Sequence, residues 1–137
     1  MAVIGFSFSK ILVEKHKPIK SKIEVKSSLH VKDISKEPEV KLVEKKDTLR
    51  FDFEYSIEYA PNLATIQFTG HVLLVADPKD ADKAVQDWNK NKTINDDLKL
   101  RVYNSIFNRC NVKAFELEED FNLPLHLKLP SIERSKN

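Results

Sequence analysis

Glycine is nearly absent: Gly5 and Gly70 are the only two in 137 residues. A phosphate loop and a dinucleotide fingerprint each need several closely spaced glycines, so neither is present. One cysteine, Cys110, excludes an internal disulfide and points to a reducing compartment. No run approaches the roughly 18 apolar residues that span a bilayer. The opening "MAVIGFSF" is too short for the apolar region of a secretory signal, and charge follows from Lys10. The expectation is a cytoplasmic protein with no membrane partner. His16, His30, His71 and His126 lie in four separate segments without metal-ligand spacing, and no serine stands in a strained elbow. No cofactor, no metal and no enzyme activity are expected.

What is present suits a globular core. Apolar residues make up 41% and charged residues 32%. A chain of this length buries roughly two-thirds of its unfolded surface, and a single α+β domain over 1–137 is expected. The net charge of +2 hides an asymmetry. Residues 1–46 hold eleven lysines against six acids, and residues 47–137 hold twelve Lys/Arg against fifteen. A lysine-rich N-terminal third fits nucleic acid or an acidic partner, but it also fits lysines on the solvent side of strands, where they discourage edge pairing. None of the eleven is Arg, whose forked guanidinium dominates base readout.

The N-terminal half beats every two residues. In "LRFDFEYSIEY" (49–59), odd positions read Leu, Phe, Phe, Tyr, Ile, Tyr and even positions Arg, Asp, Glu, Ser, Glu. This is a strand with one apolar and one wet face, as antiparallel sheets carry. Ala60-Pro61-Asn62 is turn chemistry, and the next run places Ile66, Phe68, Val72, Leu74 and Ala76 on one parity. Together, 49–60 and 63–77 form a long hairpin. Gly70 falls on the apolar parity and marks a bulge or a close approach of backbone. Ile23, Val25, Leu29 and Val31 define a strand over about 22–34, and Phe6 and Phe8 one over about 5–17. The latter turns apolar on both parities at Ile11, Leu12 and Val13, which suggests a bulge or bend. The polar connection that follows is expected to pair briefly around Val40 to Val43.

After Asp77 the period lengthens. Asp77 as cap, Pro78 in the first position and Asp80 in the first turn open a helix whose stripe is Ala81, Ala84, Val85 and Trp88. Trp88 either anchors that helix on the sheet or awaits a ligand. Ile94, Leu98, Val102, Ile106, Cys110, Ala114, Leu117 and Phe121 then step mostly by four. They predict one helix from about 95 to 121, roughly 40 Å long, with Thr93 and Asp96 as a capping box. A kink or break near Asn111 is allowed for, because Asn104, Asn108 and Asn111 are weak helix formers. Cys110 reads as a small buried hydrophobe. In "ELEED" (116–120), Glu116, Glu119 and Asp120 share one outward side. Asn122 is a left-handed cap, and Pro124 forbids continuation.

The chain closes on "NLPLHLKLP" (122–130), where prolines deny helix and four leucines alternate with Pro, His and Lys. Burying one leucine contributes roughly 1.5–3 kcal/mol, so leaving the tail in water forgoes a large part of the stability a domain has. Phe121, Leu123, Leu125, Leu127 and Leu129 are therefore expected to dock on the chain's own fold, on a sister subunit or on a client.

The layout is an antiparallel sheet of four strands (or slightly more), two helices on one face, and an extended Leu/Pro-rich tail. With "VYNSIFNRCNVKAFELEEDFNLPLHLKLPSI" (102–132) and the hairpin "FDFEYSIEYAPNLATIQFTGHVLLVAD", this order resembles the SecB-like chaperone family. The "GFSF" opening with this close is also similar to small archaeal proteins of unassigned role. The resemblance is one of pattern, without a unique motif. The Gly/Pro-rich break after the long helix of bacterial members is missing. It implies a homo-oligomeric (dimeric or tetrameric) holdase for non-native or pre-secretory polypeptide, with Phe121, Leu123, Leu125 and Leu127 lining or occluding an apolar groove. A single-partner adaptor or toxin–antitoxin-associated module is the first alternative. A nucleic-acid-binding protein using the lysine-rich third is the second, disfavoured by the acids that alternate with the aromatics of 51–59.

Overall fold

The structure, a computed structural model, describes residues 2–18, 22–40 and 43–127. Four strands precede two helices: β1 (Ala2–Lys15), β2 (Glu24–Lys36), β3 (Asp47–Ala60), β4 (Ala64–Ala76), α1 (Pro78–Asn91) and α2 (Asp96–Asp120). The strands form one antiparallel sheet in the order β1-β4-β3-β2, which places β1 and β2 at its edges. The fold is α+β, with an antiparallel sheet followed by two helices.

The two-residue period of the central hairpin becomes two faces. Leu49, Phe51, Phe53, Tyr55, Ile57 and Tyr59 of β3 stand beside Leu74, Val72, Gly70, Phe68, Ile66 and Ala64 of β4. All of these are buried and form the sheet side of the core. The opposite face carries Arg50, Asp52, Glu54 and Glu58 beside Thr65, Gln67, Thr69 and His71. There, Arg50 pairs with Asp52 at 2.9 Å, and Glu54 is bonded by Lys32 at 3.1 Å and by Gln67. Those two partners hold the Glu54 carboxyl below its usual range, Lys32 first.

Both edge strands slip register, and each slip rescues the hydrophobic pattern. In β1 the pairing with β4 jumps between Phe8 and Lys10, so the core face passes from Phe6 and Phe8 to Ile11 and Val13. Leu12 is left on the far face, opposite Gln67. This bulge explains why the sequence is apolar on both parities there. In β2 the jump between Val31 and Asp33 moves the core face from Val31 to Ile34. Gly70 faces Phe8 across the β1–β4 ladder, and a Cβ built there would overlap the Ser7 carbonyl oxygen and lie 3.1 Å from Phe8 Cα. It is a site of close backbone approach.

Three local expectations are corrected. Val40 and Val43 do not pair as strand: residues 38–39 form a turn, and Thr48 Oγ1 donates to the Val40 carbonyl at 2.5 Å (residues 41 and 42 lie outside the described residues). Thr93 does not cap α2. The cap is Asn95, whose side chain accepts from Leu98 N at 2.9 Å, because the helix begins two residues later than a Thr93 box requires. Asp77 stands at the N-cap position of α1 without a side-chain cap bond. Its carboxylate is taken by Lys46, which holds its pKa low.

Helix α2 runs its 25 residues without a break at Asn111. Weak propensity costs only a few tenths of a kcal/mol per residue, and Leu98, Val102, Ile106, Cys110 and Ala114 bury a continuous stripe. The Cys110 thiol is pushed up to about 12 by burial. The next residue of that stripe, at the same spacing of four, is not Leu117 but Glu118, which is completely buried. The helix ends in a Schellman arrangement: Asn122 has φ 55°, Asn122 N donates to Glu119 O at 3.2 Å, and Leu123 N to Glu118 O at 2.7 Å.

Candidate functional site

A cleft lies between the edge strand β2 and the junction of the two helices. Its volume is about 380 Å³. Leu29, His30 and Val31 of β2 form one side, and Trp88, Ile94 and Tyr103 supply apolar and aromatic walls from α1, the connection and α2. Lys92, Thr93 and Lys99 stand around them. The wall is built by the end of α1, where Lys92 takes a left-handed conformation (φ 54°) and turns the chain toward α2. Lys36, bonded to Asp82 of α1 and 3.3 Å from Asp47, ties the other end of α1 to β2.

Three features set the chemistry of this cleft. First, β2 has no strand on its outer side among the described residues, so half of its backbone donors and acceptors face outward. Second, Trp88 is only 7% exposed, yet its indole Nε1 is buried without a partner among the described residues. Third, Lys92 Nζ stands 5.1 Å over the Trp88 ring and Lys99 Nζ 5.3 Å over the Tyr103 ring, and no carboxylate lines the space. The arrangement offers apolar contact, an open strand edge and donors. Among the described residues no group of three His, Cys, Asp or Glu is placed to hold a metal ion.

The tail residues lie elsewhere. From Lys99 to Phe121 is 22 residues of helix and cap, roughly 33 Å at 1.5 Å per residue. Trp88 is therefore not brought together with Phe121, Leu123, Leu125 and Leu127. Leu123 is buried and joins the core, whereas Phe121 is 38%, Leu125 45% and Leu127 43% exposed. Leu129 lies outside the described residues. The Phe121 carbonyl accepts from Lys15 Nζ at 3.0 Å.

What fixes the tail is a residue the leucine pattern conceals. The chain bends at 126–127, and the His126 side chain is fully buried against Glu118. The Glu118 carboxylate accepts from the Tyr59 hydroxyl, from His126 N at 2.8 Å and from His126 Nδ1 at 2.9 Å. His126 Nε2 is 2.8 Å from Asn111 Oδ1, and that oxygen accepts from the Tyr55 hydroxyl at 3.2 Å. Burial and the neighbouring Glu118 carboxylate push the Tyr59 hydroxyl well above its ordinary pKa. A buried carboxylate is tolerated only when its lone pairs are satisfied, and this one has three donors.

No family model matches the chain, and no curated protein matches it in sequence. Among solved structures it is similar to the SecB-like chaperone Rv1957 of Mycobacterium tuberculosis, which was solved in complex with a ChAD peptide from the antitoxin Rv1956 (HigA1). The TM-score is 0.56 at 12% identity, over 98% of this chain and 92% of that one. The two chains share a fold: a four-stranded antiparallel sheet followed by two helices.

Proposed function

We propose that this protein binds polypeptide without chemistry, as a SecB-like holdase for non-native or pre-secretory chains in the cytoplasm. One observation carries the reading. The edge of β2, which has no strand beside it among the described residues, borders a cleft walled by Trp88, Ile94 and Tyr103. An extended segment can add to a strand edge through its backbone while its side chains enter apolar pockets, which is how many unrelated sequences are held by one surface. The likeness in fold to a chaperone solved with a bound peptide supports it. In this reading Trp88 belongs to the cleft, Leu123 anchors the tail, and the exposed Phe121, Leu125 and Leu127 offer a second apolar contact. The chain acts as one domain and assembles as a dimer or tetramer.

The same cleft serves the narrower reading, an adaptor for one dedicated partner such as an antitoxin segment. It is favoured by the peptide in the similar structure. A nucleic-acid role for the lysine-rich third has less support. Lys26, Lys32, Lys36 and Lys46 are all paired with acids within the chain.

The test is suppression of aggregation. Stoichiometric protein added to a chemically denatured, unrelated client on dilution should reduce light scattering. A folded protein that leaves scattering unchanged, yet binds one natural peptide, supports the adaptor. One that does neither contradicts polypeptide binding.

A further inference from the structure

Resting on the polypeptide-binding reading, we propose that the cleft beside β2 is selective for acidic segments. Its occupant is an extended peptide in which apolar residues flank a glutamate or aspartate, the carboxylate being received by Lys92, Lys99 and the indole N–H of Trp88.

The argument is one of unmet donors. Three lysines near the sheet find carboxylates: Lys32 finds Glu54, Lys36 finds Asp47 and Asp82, and Lys46 finds Asp77. Lys92 and Lys99 make no ion pair among the described residues and rest over aromatic rings instead. The Trp88 Nε1 proton has no acceptor among the described residues either, although the residue is more than nine-tenths buried. A buried N–H without a partner is unfavourable, and an incoming acceptor relieves it. Lys92, Lys99 and Trp88 all line one space, and His30 on β2 adds a further polar group that carries no negative charge. A lysine or arginine side chain entering there would meet like charge. A carboxylate would meet complementary charge. The apolar walls Leu29, Val31, Ile94 and Tyr103 accept the flanking residues.

Trp88 is the only tryptophan in the chain, so its emission reports on the site directly. The experiment titrates the full-length protein with three tryptophan-free peptides of equal length and alternating apolar residues. Their central residue is Glu, Gln or Lys. A fluorophore on each peptide gives an independent anisotropy signal. The Glu peptide is expected to bind about tenfold or more tighter than the Gln peptide, as a charge-assisted bond replaces a neutral one. The Lys peptide should be weakest, and the Glu advantage should shrink between about 50 and 300 mM salt. Lys92→Gln with Lys99→Gln should erase the preference, and Lys92→Glu with Lys99→Glu should invert it. Both positions are exposed, and circular dichroism checks that the variants fold. Trp88→Phe, read by anisotropy, should reduce the preference while retaining the apolar contact. Equal affinity for the Glu and Gln peptides, or a preference for Lys, overturns acidic selectivity and leaves polypeptide binding intact. Failure of all three peptides to bind overturns both.

Discussion

His126 and Glu118 lie eight residues apart, both side chains are fully withdrawn from solvent, and Nδ1 of one is 2.9 Å from Oε1 of the other. With the Tyr59 hydroxyl and the Asn111 amide they form a buried polar lock that holds the segment after α2 against the sheet. Removing one member strands the other. His126→Ala is expected to destabilise the fold by about 3 kcal/mol, since breaking a buried charged or hydrogen-bonded pair from one side leaves an unsatisfied group. His126→Ala combined with Glu118→Leu should cost clearly less than the sum of the two single changes. Urea unfolding of the four proteins in this cycle measures the coupling, and strict additivity would refute the lock.

The close approach at Gly70 makes a second prediction. Its missing Cβ is required by the backbone of β1, not by a side chain that can swing aside. Gly70→Ala should therefore cost roughly 2 kcal/mol or more, and the loss should appear first as faster amide exchange in β1. Unchanged exchange across 2–15 would contradict the geometry.

Helix capping separates two neighbouring residues. Asn95→Ala removes the side-chain acceptor for Leu98 N and should cost about 1 kcal/mol. Thr93→Ala should fall within about 0.5 kcal/mol of wild type, because its hydroxyl makes only a 3.4 Å contact to the Asp87 carbonyl. The reverse ranking in thermal or denaturant unfolding would restore the Thr93 cap.

Cys110 gives a chemical readout. Its thiol is buried, with a pKa pushed up from 9.0 to about 12. Alkylation at pH 8 should be slow in the native protein and fast in denaturant. Because the folded pKa lies above the unfolded one, the corresponding stability is fully present below about pH 9 and declines from there toward pH 12. Burial raises Tyr55 and Tyr59 too, so their contribution has the same sign. Each such group contributes a slope of up to about 1.4 kcal/mol per pH unit. A stability profile that is flat through alkaline pH would contradict this burial.

The fold was legible where one physical signal dominated. The two-residue beat of Leu49–Tyr59 and the steps of four from Leu98 to Ala114 report burial of one face, and both became buried faces. Glu118 escaped because a charge is rarely buried unless paired. Leu117, three residues after Ala114, was the safer reading than Glu118 at four. Its partner was hidden too: alternation in "LPLHLKL" sets His126 opposite the leucines, and only the bend at 126–127 turns the ring inward. Of the cleft, Trp88 stood out as the single tryptophan, but Leu29, Val31, Lys92, Lys99 and Tyr103 come from separate segments that meet only in the packed molecule. Read along the strand, Leu29 and Val31 are simply its apolar parity.

The central claim is that polypeptide is held along the open edge of β2. Amide hydrogen exchange of the protein with and without a saturating extended peptide tests it most directly. Amides of 27–33 that are not bonded to β3 should slow on binding, as should those around Trp88. Protection confined to β1 or to the Phe121–Leu127 surface, with β2 unchanged, would contradict the account.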